Sequence, residues 1–183
     1  MPEPVKFTVD VESTDTGFDA VQKALEELFN HEVLVGIPQE NNGRAAEDSI
    51  SVTNAELLYI HTYGSPINNI PARPVLEAAI EHDKDQISKL LQDATDAALS
   101  GSIDGVHGKL EEAGTQGANL ARAWFTNPAN HWAKNADITV DGGWMKNKVS
   151  GRPFKVKGKG SDRPLIDTGE MRKSITYKVK RTK

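Results

Sequence analysis

The chain predicts an α+β fold, a small and mostly antiparallel sheet packed against long helices, with an extended loop or arm before the C-terminal strand. Three observations lead there. Apolar residues recur at helical spacing through 74–100 and again through 102–126. Apolar and polar residues alternate at 5–11, 31–37 and 174–180, whereas 129–163 holds glycine, lysine and isolated aromatics without a sustained period. At 183 residues the chain can bury a real core, so 1–183 is read as one domain carrying a flexible basic insert at 135–163.

Residues 5–11, Val-Lys-Phe-Thr-Val-Asp-Val, are rich in β-branched side chains and fit a half-buried strand. Ser13 to Gly17 supply capping and turn chemistry, and Phe18, Val21, Leu25, Leu28 and Phe29 form the apolar stripe of a first helix. Val33, Val35 and Ile37 alternate in a second strand, which Pro38 closes. The polar stretch 39–51, with its Asn42-Gly43 pair, is a loop. Thr53 or Asn54 can cap the next helix, with Glu56 near its first turn, and Tyr63-Gly64-Ser65-Pro66 ends it.

The stretch from Asn69 to Ser100 reads as the spine of the domain. Pro71 and Pro74 fix their own φ and push the preceding residues out of the helical region, so the approach is an extended turn. Leu76, Ile80, Ile87, Leu91, Ala94 and Ala98 then share one helical face, opposite mostly charged residues. Pro74 suits the first helical position and Gly101 the residue of positive φ past the end. One helix over most of this span would be about 40 Å long.

Ser102 to Thr126 predicts another long helix, stopped by Asn127-Pro128, in which Ala113, Gly114, Gly117, Ala118 and Ala121 suit close approach to a neighbouring helix. Within the insert, only 138–140 and 154–156 look strand-like; loops of such length usually bind something. A turn at 165–169 leads to the closing strand, with Ile175, Tyr177 and Val179 on one face.

Cysteine is absent, which excludes a disulfide framework, a thiolate metal site and a cysteine nucleophile. Runs such as Val33-Leu34-Val35 and Leu57-Leu58-Tyr59-Ile60 fall far short of the roughly 20 residues a membrane span needs. The N-terminal Met-Pro-Glu-Pro-Val-Lys shows neither the basic nor the apolar region of a signal peptide, so the expectation is a soluble protein made in the cytoplasm. The net charge of −4 divides unevenly: residues 145–183 carry thirteen Lys and Arg against three acids, net +10, and the remainder nine against 23, net −14. A basic tail on an acidic body can fold back on its own surface, meet the acidic face of a neighbouring copy in a ring, or contact nucleic acid.

Pro164-Leu165-Ile166-Asp167-Thr168-Gly169 resembles the way an aspartic protease presents its carboxylate, but such an enzyme pairs two carboxylates. Only 14 residues follow Gly169, too few for the sheet and cleft of a dimeric protease. The structural reading is that Asp167 or Thr168 caps a short helical turn, with Glu170 in its first turn. Five histidines, at 31, 61, 82, 107 and 131, include no close ligand pair, and a metal site would have to be assembled from distant segments. No phosphate loop, nucleophile elbow or dinucleotide fingerprint occurs, and no enzyme, cofactor or metal is proposed from sequence. Trp132, Trp144 and Phe154 interleave with Lys146, Lys148, Arg152, Lys155, Lys157 and Lys159. That mixture suits an interface arm ahead of a platform stacking single-stranded bases.

Two segments together carry a family resemblance: Tyr63-Gly64-Ser65-Pro66 through Ile70-Pro71-Ala72-Arg73-Pro74-Val75-Leu76, and Pro164 through Asp167-Thr168-Gly169-Glu170-Met171-Arg172-Lys173-Ser174-Ile175. In this order, separated by helices and a lysine-rich insert, they resemble the neck and tail-completion proteins of tailed bacteriophages. That group includes the virion morphogenesis proteins of Mu-like phages and the lambdoid minor tail completion proteins. Members commonly carry Phe where this chain has Val75. The resemblance implies a single tail-completion domain in which the Ile-Pro-Ala-Arg-Pro turn launches a long helix against a sheet closed by the C-terminal strand. It further implies a structural virion protein, assembled in the host bacterial cytoplasm and located at the neck and tail. There it would form a sixfold ring that contacts the connector and the tail terminator or tail tube, with transient DNA contact as an alternative use of the basic region. Pro71, Arg73, Pro74, Leu76, Asp167, Thr168, Gly169, Met171, Ser174 and Ile175 are then motif residues. Arg73, between prolines, fits a buried guanidinium satisfying carbonyls ahead of an inter-subunit ion pair.

Overall fold

The computed structural model describes residues 16–44, 52–148, 150–165 and 169–182; the strand expected at 5–11, residues 45–51 of the loop expected at 39–51, and Asp167 and Thr168 lie outside them. The α+β architecture is as the periodicities predict. Among the described residues, two antiparallel strand pairs accompany the helices, one in the body and one in the insert.

The body is built around helix α5 (Ile103–Trp124), whose 22 residues span about 33 Å. Ser102 starts it, its hydroxyl accepting a hydrogen bond from the Gly105 N–H at 3.1 Å. Val106, Leu110, Ala113, Gly114, Gly117, Ala118, Ala121 and Trp124 are buried, and they occupy more than one side of the helix. Helix α4 (Lys84–Leu99) runs antiparallel along one flank, with Ala97 against Gly105 and Lys109 3.7 Å from Asp93. On the other flank lies the body sheet, in which β1 (His31–Gly36) pairs with β4 (Thr176–Arg181) so that Val33 opposes Val179 and Val35 opposes Tyr177. Helix α1 (Thr16–Phe29) completes this end of the core, placing Ala24 with Ala94, Ala98, Val106 and Leu110. A second cluster at the far end joins Leu58, Val75, Ala79, Ala121, Trp124, Phe125, Met171 and Ile175.

The long helices correct expectations in two places, the spine and α5. The single spine is two helices, α3 (Leu76–His82) and α4, because the backbone leaves the helical region at Asp83, with φ −112° and ψ 27°. The Asp83 carboxylate receives hydrogen bonds from His82 Nδ1 and Gln86 Nε2, each at 3.0 Å. A short acidic side chain that satisfies local donors competes with the continuous helix. Pro74 also stops short of the helix: Leu76 is its first residue and Val75 its N-cap. The other correction concerns the small residues of α5, which admit the sheet as well as a helix. A Cβ on Gly114 would lie 2.2 Å from Tyr177 Cδ2, and one on Gly117 2.9 Å from Val35 Cγ2. Because Tyr177 Cγ, close to the backbone, would also stand 2.7 Å away, the ring cannot move aside by a simple rotation of its far end.

This contact sets a stability prediction. Gly114→Ala gains about 1 kcal/mol of helix propensity but overpacks the sheet contact, at up to about 3 kcal/mol, and is expected to lower stability in urea unfolding. In a Tyr177→Ala background the same change becomes stabilising. A Gly114→Ala protein as stable as the parent contradicts the close approach.

Candidate functional site

Two regions hold the residues singled out from sequence: the turn before α3 with its C-terminal counterpart, and the insert. The turn is clamped on three sides. The Arg73 N–H donates to the His61 carbonyl of α2 (Asn54–Tyr63) at 2.6 Å, and its Nη2 donates to the Ala133 carbonyl at 2.9 Å. The Trp124 indole donates to the Pro74 carbonyl at 3.2 Å. Arg73 is only 6% exposed, and burial pulls its pKa down, although a guanidinium stays charged at neutral pH. Pro71 and Pro74 keep their rings at the surface, Val75 is fully buried, and Leu76 packs against the same core cluster.

The C-terminal motif arrives at that same cluster. Gly169, with φ 74°, opens α7 (Glu170–Ser174), which buries Met171; Ile175 follows with no exposed surface. Segments about a hundred residues apart in the chain therefore share one core through Val75, Met171 and Ile175. Ser174 is half-buried, donates to the Glu170 carbonyl at 2.8 Å and accepts from Asn54 Nδ2 at 2.8 Å. Sequence reading places Asn54 only as a possible cap. Thr53 takes that role, in a reciprocal capping box with Glu56, and Asn54 is a buried hub bonded to Arg44, Gly43 and Ser174. Nothing in the local sequence separates the two residues; the partner that decides is 120 positions away. The polar cleft beside them, about 420 Å³, is lined by Asn41, Gly43, Asn54, Glu170, Lys173 and Ser174. An apolar groove of about 340 Å³ runs between β1 and α4, with Leu110 and Ala113 of α5 in its floor.

The insert is a folded hairpin where an irregular arm is expected. Residues 138–140 are helical, not extended: α6 (Asp137–Val140) is a single turn whose Thr139 and Val140 N–H groups both donate to the Ala136 carbonyl. Its Ile138 reaches Gly143, so tertiary packing overrides the β propensity of Ile, Thr and Val. Strand β2 (Gly142–Lys146) then pairs with β3 (Pro153–Lys157), Trp144 opposite Lys155 and Met145 opposite Phe154. Gly142 hides β2 from sequence reading, yet it is required: its φ is +78°, and a Cβ there would stand 2.5 Å from the Gly158 nitrogen. Asn135 closes the base, its Nδ2 donating to the Ser161 and Arg163 carbonyls at 3.3 and 3.0 Å.

Alternation sorts the hairpin into two faces. Trp144, Lys146, Lys155 and Lys157 share one; Met145, Phe154 and Val156 share the other. Trp144 is 71% exposed, and Met145 and Phe154 are 40% and 45% exposed. Lys146, Lys155, Lys157 and Arg152 are exposed, with no carboxylate at ion-pair distance among the described residues. Lys148 donates to the Ile67 carbonyl, and Lys159 lies close enough to His61 to act on its charge. Trp132 belongs elsewhere: half-buried, it meets Phe125 edge-on at 5.9 Å and packs on the core. No helix among the described residues is long and apolar enough to cross a membrane. Comparison with protein-family models, curated proteins and solved structures gives no match to this chain.

His61 gives the turn a pH dependence. Its pKa is lowered from 6.5 to about 4, first by burial and then by the charges of Arg73 and Lys159, so the ring is neutral in the fold. The unfolded chain binds the proton more readily, and stability present above pH 6.5 is lost as pH falls towards about 4. Thermal unfolding between pH 7 and 4 is expected to show a loss of at most about 3 kcal/mol from this group, and His61→Asn to flatten that part of the profile. An unchanged profile in the variant contradicts the assignment.

Proposed function

We propose that this protein is a structural subunit at the head-to-tail junction of a tailed bacteriophage, forming an oligomeric ring that completes the tail and joins it to the neck. One observation carries the reading beyond the resemblance: a hairpin with exposed Trp144, Met145 and Phe154 stands on a predominantly acidic body and bears a lysine face. Aromatic and methionine side chains are the ones that anchor interfaces, and unpaired lysines select an acidic partner. Asp85, Asp96, Asp104 and Glu111 are exposed on α4 and α5 and give a neighbouring copy such a surface. The work is done by contact, and the polar cleft takes no catalytic part in this reading because the Ser174 hydroxyl is committed to a backbone carbonyl.

A second reading rests on Trp144 sharing a face with Lys146, Lys155 and Lys157, an arrangement that can stack a base and bind its phosphates. The two readings separate by experiment. Light scattering and negative-stain imaging of the purified protein, alone and with tails, are expected to show a closed ring. Lys155→Glu with Lys157→Glu is expected to leave the circular dichroism spectrum unchanged but to block ring closure and tail joining. A persistent monomer overturns the ring, and a double variant that still assembles contradicts the interface role given to the hairpin. DNA binding that weakens steeply with salt and is lost in the same variant, without any ring, favours the second reading.

A further inference from the structure

We propose that Glu27, His31 and His107 form a binding site for one divalent transition-metal ion of the zinc class. One ligand atom from each of the three lies within 4.8 Å of the others, although the residues come from the last turn of α1, the first residue of β1 and the second turn of α5. His107 Nε2 is 3.0 Å from Glu27 Oε2, and the two imidazole centroids are 5.0 Å apart. Zinc holds imidazole nitrogen and carboxylate oxygen at about 2.0–2.2 Å, which places its ligands about 3.4 Å from one another, so ligand atoms now within 4.8 Å must draw closer by rotation of these side chains.

The surroundings hold the ligands as metal sites do. His31 Nδ1 donates to the Glu27 carbonyl oxygen at 2.6 Å, which selects one tautomer and leaves Nε2 with a lone pair. Arg181 of β4 stands 3.4 Å from Glu27 Oε1, restraining the carboxylate while Oε2 remains with the histidines. Two imidazoles and one carboxylate are borderline donors, suited to Zn²⁺, Co²⁺ or Ni²⁺ and too few in oxygens for Ca²⁺ or Mg²⁺. Glu27 and His31 are mostly covered, whereas His107 is 47% exposed, and this leaves the outer side of the ion to water or to a group from another molecule. Bound there, the ion ties α1 and β1 to the N-terminal part of α5.

The test is calorimetric titration of the full chain, metal-free and without a histidine tag, with Zn²⁺. It is paired with Co²⁺ absorption, which reports low-symmetry nitrogen and oxygen coordination. Wild type is expected to take up one Zn²⁺ per chain saturably and to unfold at a higher temperature with Zn²⁺. His107→Ala and Glu27→Gln are expected to weaken binding by more than about tenfold with an unchanged circular dichroism spectrum, whereas His82→Ala, outside the cluster, leaves it intact. Absence of saturable Zn²⁺ uptake by the wild type overturns the site whatever the variants do. So does uptake that Glu27→Gln and His107→Ala leave unchanged.

Discussion

The rest of the structure depends on the clamp around Arg73. A buried guanidinium is tolerated only where acceptors meet it, and here its Nη2 reaches the Ala133 carbonyl while its own backbone N–H is held by His61. With Trp124 bonded to the Pro74 carbonyl, one short turn connects α2, the start of α3, the end of α5 and the lead into the insert. Because Pro71 and Pro74 restrict the backbone beforehand, little conformational freedom remains to be lost when those contacts form. Val75 and Leu76 then carry the chain from the clamp into the core.

Helix α5 transmits that order through the body. Alanine and glycine let a helix bury more than one side of itself, because short side chains bring α4 and the β1–β4 pair to close range. The interior is therefore assembled by backbone proximity as much as by large apolar side chains; among the described residues, Ile175, Val75 and Val106 are the largest apolar residues wholly removed from solvent. Several large apolar side chains remain outside, with Trp144, Met145 and Phe154 together on the hairpin. A firm body bearing an apolar and basic projection is what the proposed ring subunit needs, since association gains most from anchors that are already ordered.

The legible parts of the sequence were those governed by local rules. Helices α1, α2 and α5 and strands β1 and β4 follow their apolar periods to within a residue or two, and Gly101, φ 73°, ends α4 where positive φ was expected. The break at Asp83 is not legible in the sequence because the apolar period of Leu76 to Ala98 continues across it, and only the hydrogen bonds from His82 and Gln86 show why the helix stops. Strand β2 is hidden because Gly142-Gly143 reads as a loop, and the helical turn at Ile138 to Val140 is hidden because β-branched residues read as strand. Glycine permits many conformations, and which one it adopts is settled by the Gly158 backbone packed against it.

The sequence by itself determined the fold class, most helix limits, the rigid proline turn and the division into acidic body and basic end, because these depend on residues close together in the chain or on sums over it. Tertiary structure alone decided what distant residues do in combination. It brought Val75 to Met171 and Ile175, made Asn54 a hub through Ser174, packed Trp132 against the core and left Trp144 in solvent, and gathered Glu27, His31 and His107. Such pairings rest on distances through space, and an amino-acid order met alone contains no measure of them.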